Sequence, residues 1–303
     1  MSLRVAAPGV YSLPVDLGRP GWRSFGVPVG GAADRAAHAL ANALVGNPPD
    51  AVTLEITLAG PTLTADGPTA CVLFGAPFHL DCPGRAPPTA GTTFTLHAGE
   101  TLRILGTPAG VRGYLAVRGG FHRPEVMGSR SALEPVRAGD VLACAPSALP
   151  GRALPFVAVR DLGGDTTLRV LSGTQADWFP PGALEAGRFT VTAASNRMGV
   201  RLAGEPLPRV AGRVSAEMAS EPVAAGAVQV ANDGRPILLG VDGQTIGGYP
   251  RPAHVIRADL DALAQLRPGD GVRFREVTVA EAEHAARVAA AELADWCRRL
   301  AWA

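Results

Sequence analysis

Short runs rich in Val, Thr, Leu and Ile recur along the whole chain, each closed by Gly or Pro, and this punctuation constrains the fold more than any other feature. The 37 glycines and 27 prolines are spread without a period. Proline removes a backbone donor and glycine favours turns, so neither is at home inside long helices, and the runs between them read as strands joined by tight turns. Strands are expected at Leu3 to Leu13, Val52 to Leu58, Thr69 to Phe74, Thr92 to Leu96, Thr101 to Leu105 and Gly113 to Val117. A second series follows at Leu168 to Leu171, Phe189 to Thr192, Gly199 to Leu202, Gly226 to Val230 and Pro236 to Leu239, with a last strand ending at Arg275.

Three segments break this pattern with helical spacing. Ala36, Ala37, Leu40, Ala41 and Leu44 share one face of a helix over Ala33 to Val45, with Asp34 or a neighbour as cap and Gly46 as its stop. A short helix is expected at Leu260 to Leu266. Thr278 and Glu281 stand at capping-box spacing before an Ala-rich helical tail. At 303 residues the chain suits two domains, and the Pro/Ala-rich stretch Ala145 to Pro155 is the best linker. The expected division is 1–150, 151–277 and a terminal helix over 278–303. A weak echo between Thr57 to Leu63 and Arg201 to Leu207 fits two related β-rich halves.

Composition removes several kinds of chemistry. The chain has no lysine, so a Walker-type phosphate lysine, a Schiff-base lysine and a biotin-carrying lysine are all excluded. Twenty-eight basic against 27 acidic residues give no broad footprint for nucleic acid or an anionic membrane. Met1 to Tyr11 carries no apolar segment of signal-peptide length, and the cytoplasm is the expected compartment. The four cysteines form no C-x-x-C pair and the six histidines show no ligand spacing, so buried free thiols are expected and no metal site.

Four segments concentrate polar residues. In the first, Asp16 and Arg19 precede a glycine-rich run, Gly26 to Gly31, that leads to Asp34; glycines beside a helix start open backbone N–H groups to an anion, and Arg19 offers a fork. The same residues equally make a turn with Asp34 as cap and an Asp16–Arg19 ion pair. In the second, Arg130 lies between Ser129 and Ser131, which suits a carboxylate or phosphate oxygen and also a surface turn. The third places Arg197 among small polar residues before a strand, for a ligand or an ion pair. The fourth, Asp242 to Arg251, gathers a carboxylate, an amide, a hydroxyl, a phenol and a guanidinium around Gly247 and Gly248. Such a set can bind and polarise a small amide or carboxylate, and it can also be a solvated turn.

Several strings resemble a known family in family order from about residue 10 to 275: Asp16-Leu17-Gly18-Arg19-Pro20-Gly21, Gly31-Ala32-Ala33-Asp34, Leu54-Glu55-Ile56-Thr57-Leu58, Gly128-Ser129-Arg130-Ser131, Arg197-Met198-Gly199-Val200-Arg201-Leu202, and Gln244-Thr245 with Gly247-Gly248-Tyr249-Pro250. On these the chain resembles the family of the C-type component of bacterial ATP-dependent 5-oxoprolinase, of KipA-type proteins called allophanate hydrolase subunit 2, and of the carboxyltransferase part of urea carboxylase. The resemblance implies a mainly β fold of two pseudo-symmetric cyclophilin-like β-barrel domains. It implies ATP-driven opening of 5-oxoproline to glutamate, with ATP shared with a KipI-like B-type subunit and an A-type subunit. It implies catalytic roles for Asp16, Asp34, Asp242, Tyr249 and Arg251. Substrate binding falls to Arg19, Arg130, Arg197, Gln229, Gln244, Thr245, Gly247 and Gly248. A KipA-type protein that captures a KipI-like inhibitor, and a carboxyltransferase served by biotin on a separate carrier, are the other implied roles. The chain departs from the family strings at Val15, Gly30, Gly243 and Arg251, where relatives carry Gln, Ser, Arg and Lys.

Overall fold

The computed structural model describes residues 1–155, 162, 165–213 and 218–302. The chain is mainly β and divides into two units: Met1–Gly18, Asp34–Leu162 and Glu292–Ala303 form the first, Arg19–Ala33 and Gly163–Ala291 the second.

The first unit begins with β1 (Ser2–Ala7), β2 (Tyr11–Val15), α1 (Arg35–Leu44), β3 (Thr53–Thr57), β4 (Thr62–Ala65) and β5 (Thr69–Gly75). It continues with β6 (Leu80–Asp81), β7 (Phe94–Leu96), β8 (Thr101–Ile104), β9 (Arg112–Val117) and β10 (Val141–Ala143). The strands form two five-stranded sheets, in the orders β10-β1-β4-β8-β6 and β2-β3-β9-β5-β7. Leu3, Leu54, Leu63, Leu73, Leu102 and Leu115, none with any exposure, belong to one apolar cluster of the unit. The single strand expected from Leu3 to Leu13 is two strands in different sheets. Its break is Gly9, at φ 73°, where a Cβ would lie 2.4 Å from the Gly60 carbonyl carbon.

The first helix follows its local signals closely. The Asp34 carboxylate accepts from the Ala37 N–H at 2.9 Å. At the other end Gly46 is left-handed, with its N–H on Ala43 O and the Asn47 N–H on Asn42 O, the two bonds of a Schellman stop. The stretch Ala145 to Pro155 is tied to the first unit by the Leu154 N–H donating to Gly91 O and the Thr93 N–H donating to Arg152 O. Cys71, Cys82 and Cys144 are buried free thiols, whereas Cys297 is only partly covered.

The second unit holds β11 (Thr166–Ser172), α2 (Ala183–Ala186), β12 (Phe189–Val191), β13 (Gly199–Gly204), β14 (Glu221–Pro222), β15 (Ala227–Val230) and β16 (Pro236–Leu239). Then come β17 (Ile246–Gly247), β18 (Ala253–Val255), α3 (Leu260–Leu263) and β19 (Gly271–Glu276). Seven strands close a barrel in the order β11-β18-β15-β16-β13-β12-β19, sealed by the parallel pairing of β11 with β19. Alternate residues, such as Leu168 with Val170 and Val228 with Val230, fill its core, and Phe189 meets Phe274 edge-on at 5.7 Å. Gln229 lies between two core positions on β15, and strand alternation turns it to the opposite face. The ribbon of β14 and β17 pairs Glu221 with Gly247.

The helix expected over Leu260 to Leu266 shortens because its last bonds tighten, with the Gln265 N–H on Ala262 O and the Leu266 N–H on Leu263 O. The tail is α4 (Val279–Trp302), opened by the expected capping box: the Thr278 N–H donates to Glu281 Oε2 at 2.8 Å and the Glu281 N–H to Thr278 Oγ1 at 3.2 Å. Among the described residues no helix is long and apolar enough to cross a membrane.

Candidate functional site

Polar residues of the first unit are committed to one another. Asp16, just past β2, accepts at Oδ1 from Ser129 Oγ (2.6 Å), Ser131 Oγ (2.6 Å) and the Gly18 N–H (2.8 Å), and at Oδ2 from the Arg130 N–H (2.6 Å). Burial raises the carboxyl pKa, but these four donors outweigh it and hold Asp16 below the ordinary carboxylate value. The Gly128 to Ser131 loop is therefore folded around Asp16, while the Arg130 side chain is exposed and reaches Glu125 at 3.7 Å.

A second buried chain starts at Asp34. Its N–H donates to Tyr114 Oη (2.7 Å), Tyr114 donates to Glu55 Oε2 (2.8 Å), and Glu55 Oε1 faces Arg112 Nε at 3.4 Å. Burial first, then the Glu55 and Asp34 charges, push the Tyr114 phenol well up. His38, on α1, has Nδ1 2.9 Å from Thr53 Oγ1, and burial lowers its pKa to about 4 despite the Glu55 charge. These groups form a buried network in which His38 is held neutral.

The second unit presents open chemistry. Arg197, buried two residues before β13, donates from Nε to Asp242 Oδ2 (2.7 Å), from Nη2 to Asp242 Oδ1 (3.0 Å) and from Nη2 to Gly31 O (2.7 Å). The Asp242 side chain keeps 30% exposure, so it is oriented from behind and reachable from in front. Gly30, at φ 64°, stands beside it: a Cβ there would lie 3.5 Å from Asp242 Oδ1 and 3.7 Å from Arg19 Nη1. A carboxylate and a guanidinium thus flank a residue without a side chain.

A second group gathers at the β14–β17 ribbon. A Cβ on Gly247 would come 2.5 Å from Gln229 Nε2 and 2.7 Å from Gln244 Nε2, so two amide heads converge over its bare edge. Gln229 is 1% exposed, and its Nε2 has no hydrogen-bond partner among the described residues. Thr245 is buried and its carbonyl accepts from the Val223 N–H at 2.9 Å; Gly248 lies against Met218 O; Tyr249 is 38% exposed. Arg251 is gripped on several sides. It pairs with Glu221 and donates to Pro222 O (2.5 Å), Thr174 Oγ1 (3.2 Å) and Gln175 Oε1 (3.4 Å).

Of the residues singled out in the sequence, Arg19, Arg197 and Asp242 meet around Gly30, and Gln229 and Gln244 meet at Gly247. Asp16, Asp34 and Arg130 belong to the first unit. Sequence reasoning missed Glu221, Gln175 and Thr174 around Arg251, and the Glu55–Tyr114–Arg112 chain. The only signal for the latter was a Glu within an apolar strand run, Leu54-Glu55-Ile56, since a buried carboxylate demands partners.

The mainly β second unit is thus a closed barrel beside which an oriented carboxylate, a guanidinium and two amides, Gln229 from β15 and Gln244 from the loop before β17, are brought together. Residues 25–276 match the family model described as carboxyltransferase domain, subdomain A and B, and the chain belongs to that family. It is 35% identical to the C-type component of 5-oxoprolinase from Escherichia coli (strain K12) over 92% of this chain and 93% of that one. Among solved structures, that of TTHA0988 matches 90% of this chain at a TM-score of 0.81 and 37% identity, and this chain spans 56% of that one. The urea amidolyase of K. lactis matches 97% of this chain at a TM-score of 0.88 and 27% identity, with 20% of that protein covered.

Proposed function

We propose that this chain is the C-type component of a cytoplasmic ATP-dependent 5-oxoprolinase, acting with a KipI-like B-type subunit and an A-type subunit. The observation that carries the reading is its 35% identity to the C-type component of a 5-oxoprolinase over nearly the full length of both chains. A lactam is a stable amide, so its opening needs activation. The lactam oxygen takes the terminal phosphoryl of ATP and ADP leaves; one water adds at the activated carbon, the C–N bond breaks and the nitrogen takes a proton; a second water then displaces phosphate from the acyl phosphate so formed, leaving the carboxylate. The barrel unit offers matching groups. Arg19 suits an anionic oxygen, Asp242 held by Arg197 suits the attacking water or the ring N–H, and the Gln229 and Gln244 amides suit the lactam carbonyl. Tyr249 and Arg251 flank the same ribbon.

The deciding experiment mixes this chain with its A- and B-type partners and ATP and follows glutamate and ADP with and without 5-oxoproline. Glutamate formed in step with ADP supports the reading. A stable complex that turns over no ATP moves the assignment to a KipA-type capture of the B-type partner.

The TM-score of 0.88 to the urea amidolyase favours a second reading, carboxyl transfer to a small amide. Because the chain has no lysine, biotin would have to arrive on a separate carrier. Avidin blots of copurifying proteins test this.

A further inference from the structure

The barrel unit contains a cavity of about 400 Å³ lined by both apolar and cationic residues. Val223, Ala224 and Ala227 supply apolar lining, and Arg23, Thr174, Arg251 and His254 supply polar lining. Against the two guanidiniums of the described lining stands one neighbouring carboxylate, Glu221 on Arg251, and the remaining positive charge favours an anion. Glu221 pairs with Arg251 from beside the cavity, and Arg23 donates to Val223 O, so both cations are held in place. Holding a guanidinium by Thr174, Gln175 and Pro222 O lowers the ordering cost of binding. His254 has Nδ1 2.9 Å from Val255 O; a carbonyl there can only accept, so Nδ1 carries the proton and Nε2 is the acceptor of the neutral ring.

We infer that this cavity binds a small ring carboxylate, with the carboxylate on Arg23 and Arg251 and the ring against Val223 and Ala227. The volume lies near the lower end of the range for small-molecule sites, about 300–1,000 Å³, which fits one ring and one anionic group better than a nucleotide. The apolar lining favours a ligand that carries a ring over a bare inorganic anion. The inference deepens the proposed reaction and rests on it only for the natural ligand, 5-oxoproline being a five-membered ring carboxylate.

The test uses cyclopentanecarboxylate, which keeps the ring and the charge and has no lactam to open. Isothermal titration of the full chain is expected to show saturable binding of this acid and at least about tenfold weaker binding of neutral cyclopentanecarboxamide, as loss of a charge-assisted hydrogen bond implies. Arg23→Met is expected to weaken the acid by about the same factor. Ala224→Trp, at an exposed rim position, is expected to block the acid while far-ultraviolet circular dichroism and the thermal unfolding midpoint stay unchanged. No binding of the acid, equal binding of acid and amide, or binding indifferent to both variants overturns the cavity assignment. Glutamate formation by the assembled subunits is read separately, so either idea can fail alone.

Discussion

Arg197 holds Asp242 by a two-point fork, Nε to Oδ2 at 2.7 Å and Nη2 to Oδ1 at 3.0 Å, and the same Nη2 reaches Gly31 O at 2.7 Å. One buried guanidinium therefore aligns a partly exposed carboxylate and the glycine turn beside it. A planar fork fixes the carboxylate by two parallel bonds while a further N–H reaches the carbonyl, a geometry that a freely rotating ammonium does not impose.

Arg197→Lys is accordingly expected to lower kcat of the assembled enzyme by about ten- to a hundredfold and to cost about 1–3 kcal/mol of stability by stranding buried acceptors. Steady-state kinetics and urea unfolding measure the two. A stability loss with kcat intact would show that the orientation of Asp242 is structural only.

Gly247→Ala places a methyl where the Gln229 and Gln244 amide heads now converge, 2.5 and 2.7 Å away. Both are ends of flexible side chains, so the fold should survive with an overpacking cost of about 1 kcal/mol. The expected signature is a KM raised about tenfold, from losing roughly one hydrogen bond to the substrate. An unchanged KM would remove the amide pair from substrate recognition.

Asp16 supplies a pH-dependent part of stability. Burial pushes its pKa up, four donors pull it further down, and the net folded value lies below the unfolded 3.8. The folded state thus favours the ionised form. The resulting stabilisation is present above pH 3.8 and is lost as pH falls through the lower folded value. Urea midpoints of the wild type and Asp16→Asn should differ most near neutrality and converge in strong acid. A gap that does not shrink there would mean that the Asp16 charge is not what the loop binds.

His38 acts in a separate window. Its pKa falls from 6.5 unfolded to about 4 folded because burial disfavours the imidazolium. Between these values the unfolded chain binds a proton that the folded one refuses, so stability drops as pH falls from 6.5 to about 4. The full loss is roughly 3 kcal/mol. His38→Gln should lack this slope, whatever its absolute stability; a slope equal to the wild type's would assign it to another group.

The legible parts of the site were its residue types, and the illegible parts were its pairings. A density of Asp, Gln, Thr, Tyr and Arg after an apolar strand marked Asp242 to Arg251 as chemistry-bearing. That Asp242 would be gripped by Arg197, 45 residues earlier, and Arg251 by Glu221, 30 residues earlier, depended on strand register. Glu221 itself lay in a two-residue strand with no pattern to announce it. The short strands β10 and β18 were missed for a related reason: their three residues are strands because β1 on one side, and β11 and β15 on the other, present open ladders to them.

By itself the sequence determined the features whose partners lie within a few residues. These are the strand runs cut by Gly and Pro, the Asp34 cap and Gly46 stop of the first helix, the Thr278–Glu281 box, and the exclusion of lysine chemistry. Local backbone geometry and short-range hydrogen bonds suffice to specify them. The tertiary structure alone decided that Asp16 would spend its charge on a loop more than 110 residues away, that Tyr114 would bridge Asp34 to Glu55, and that Arg23 would line a cavity of the barrel unit. Such encounters follow from sheet pairing and chain closure, and a one-dimensional pattern carries no record of which distant side chains those bring within hydrogen-bonding distance.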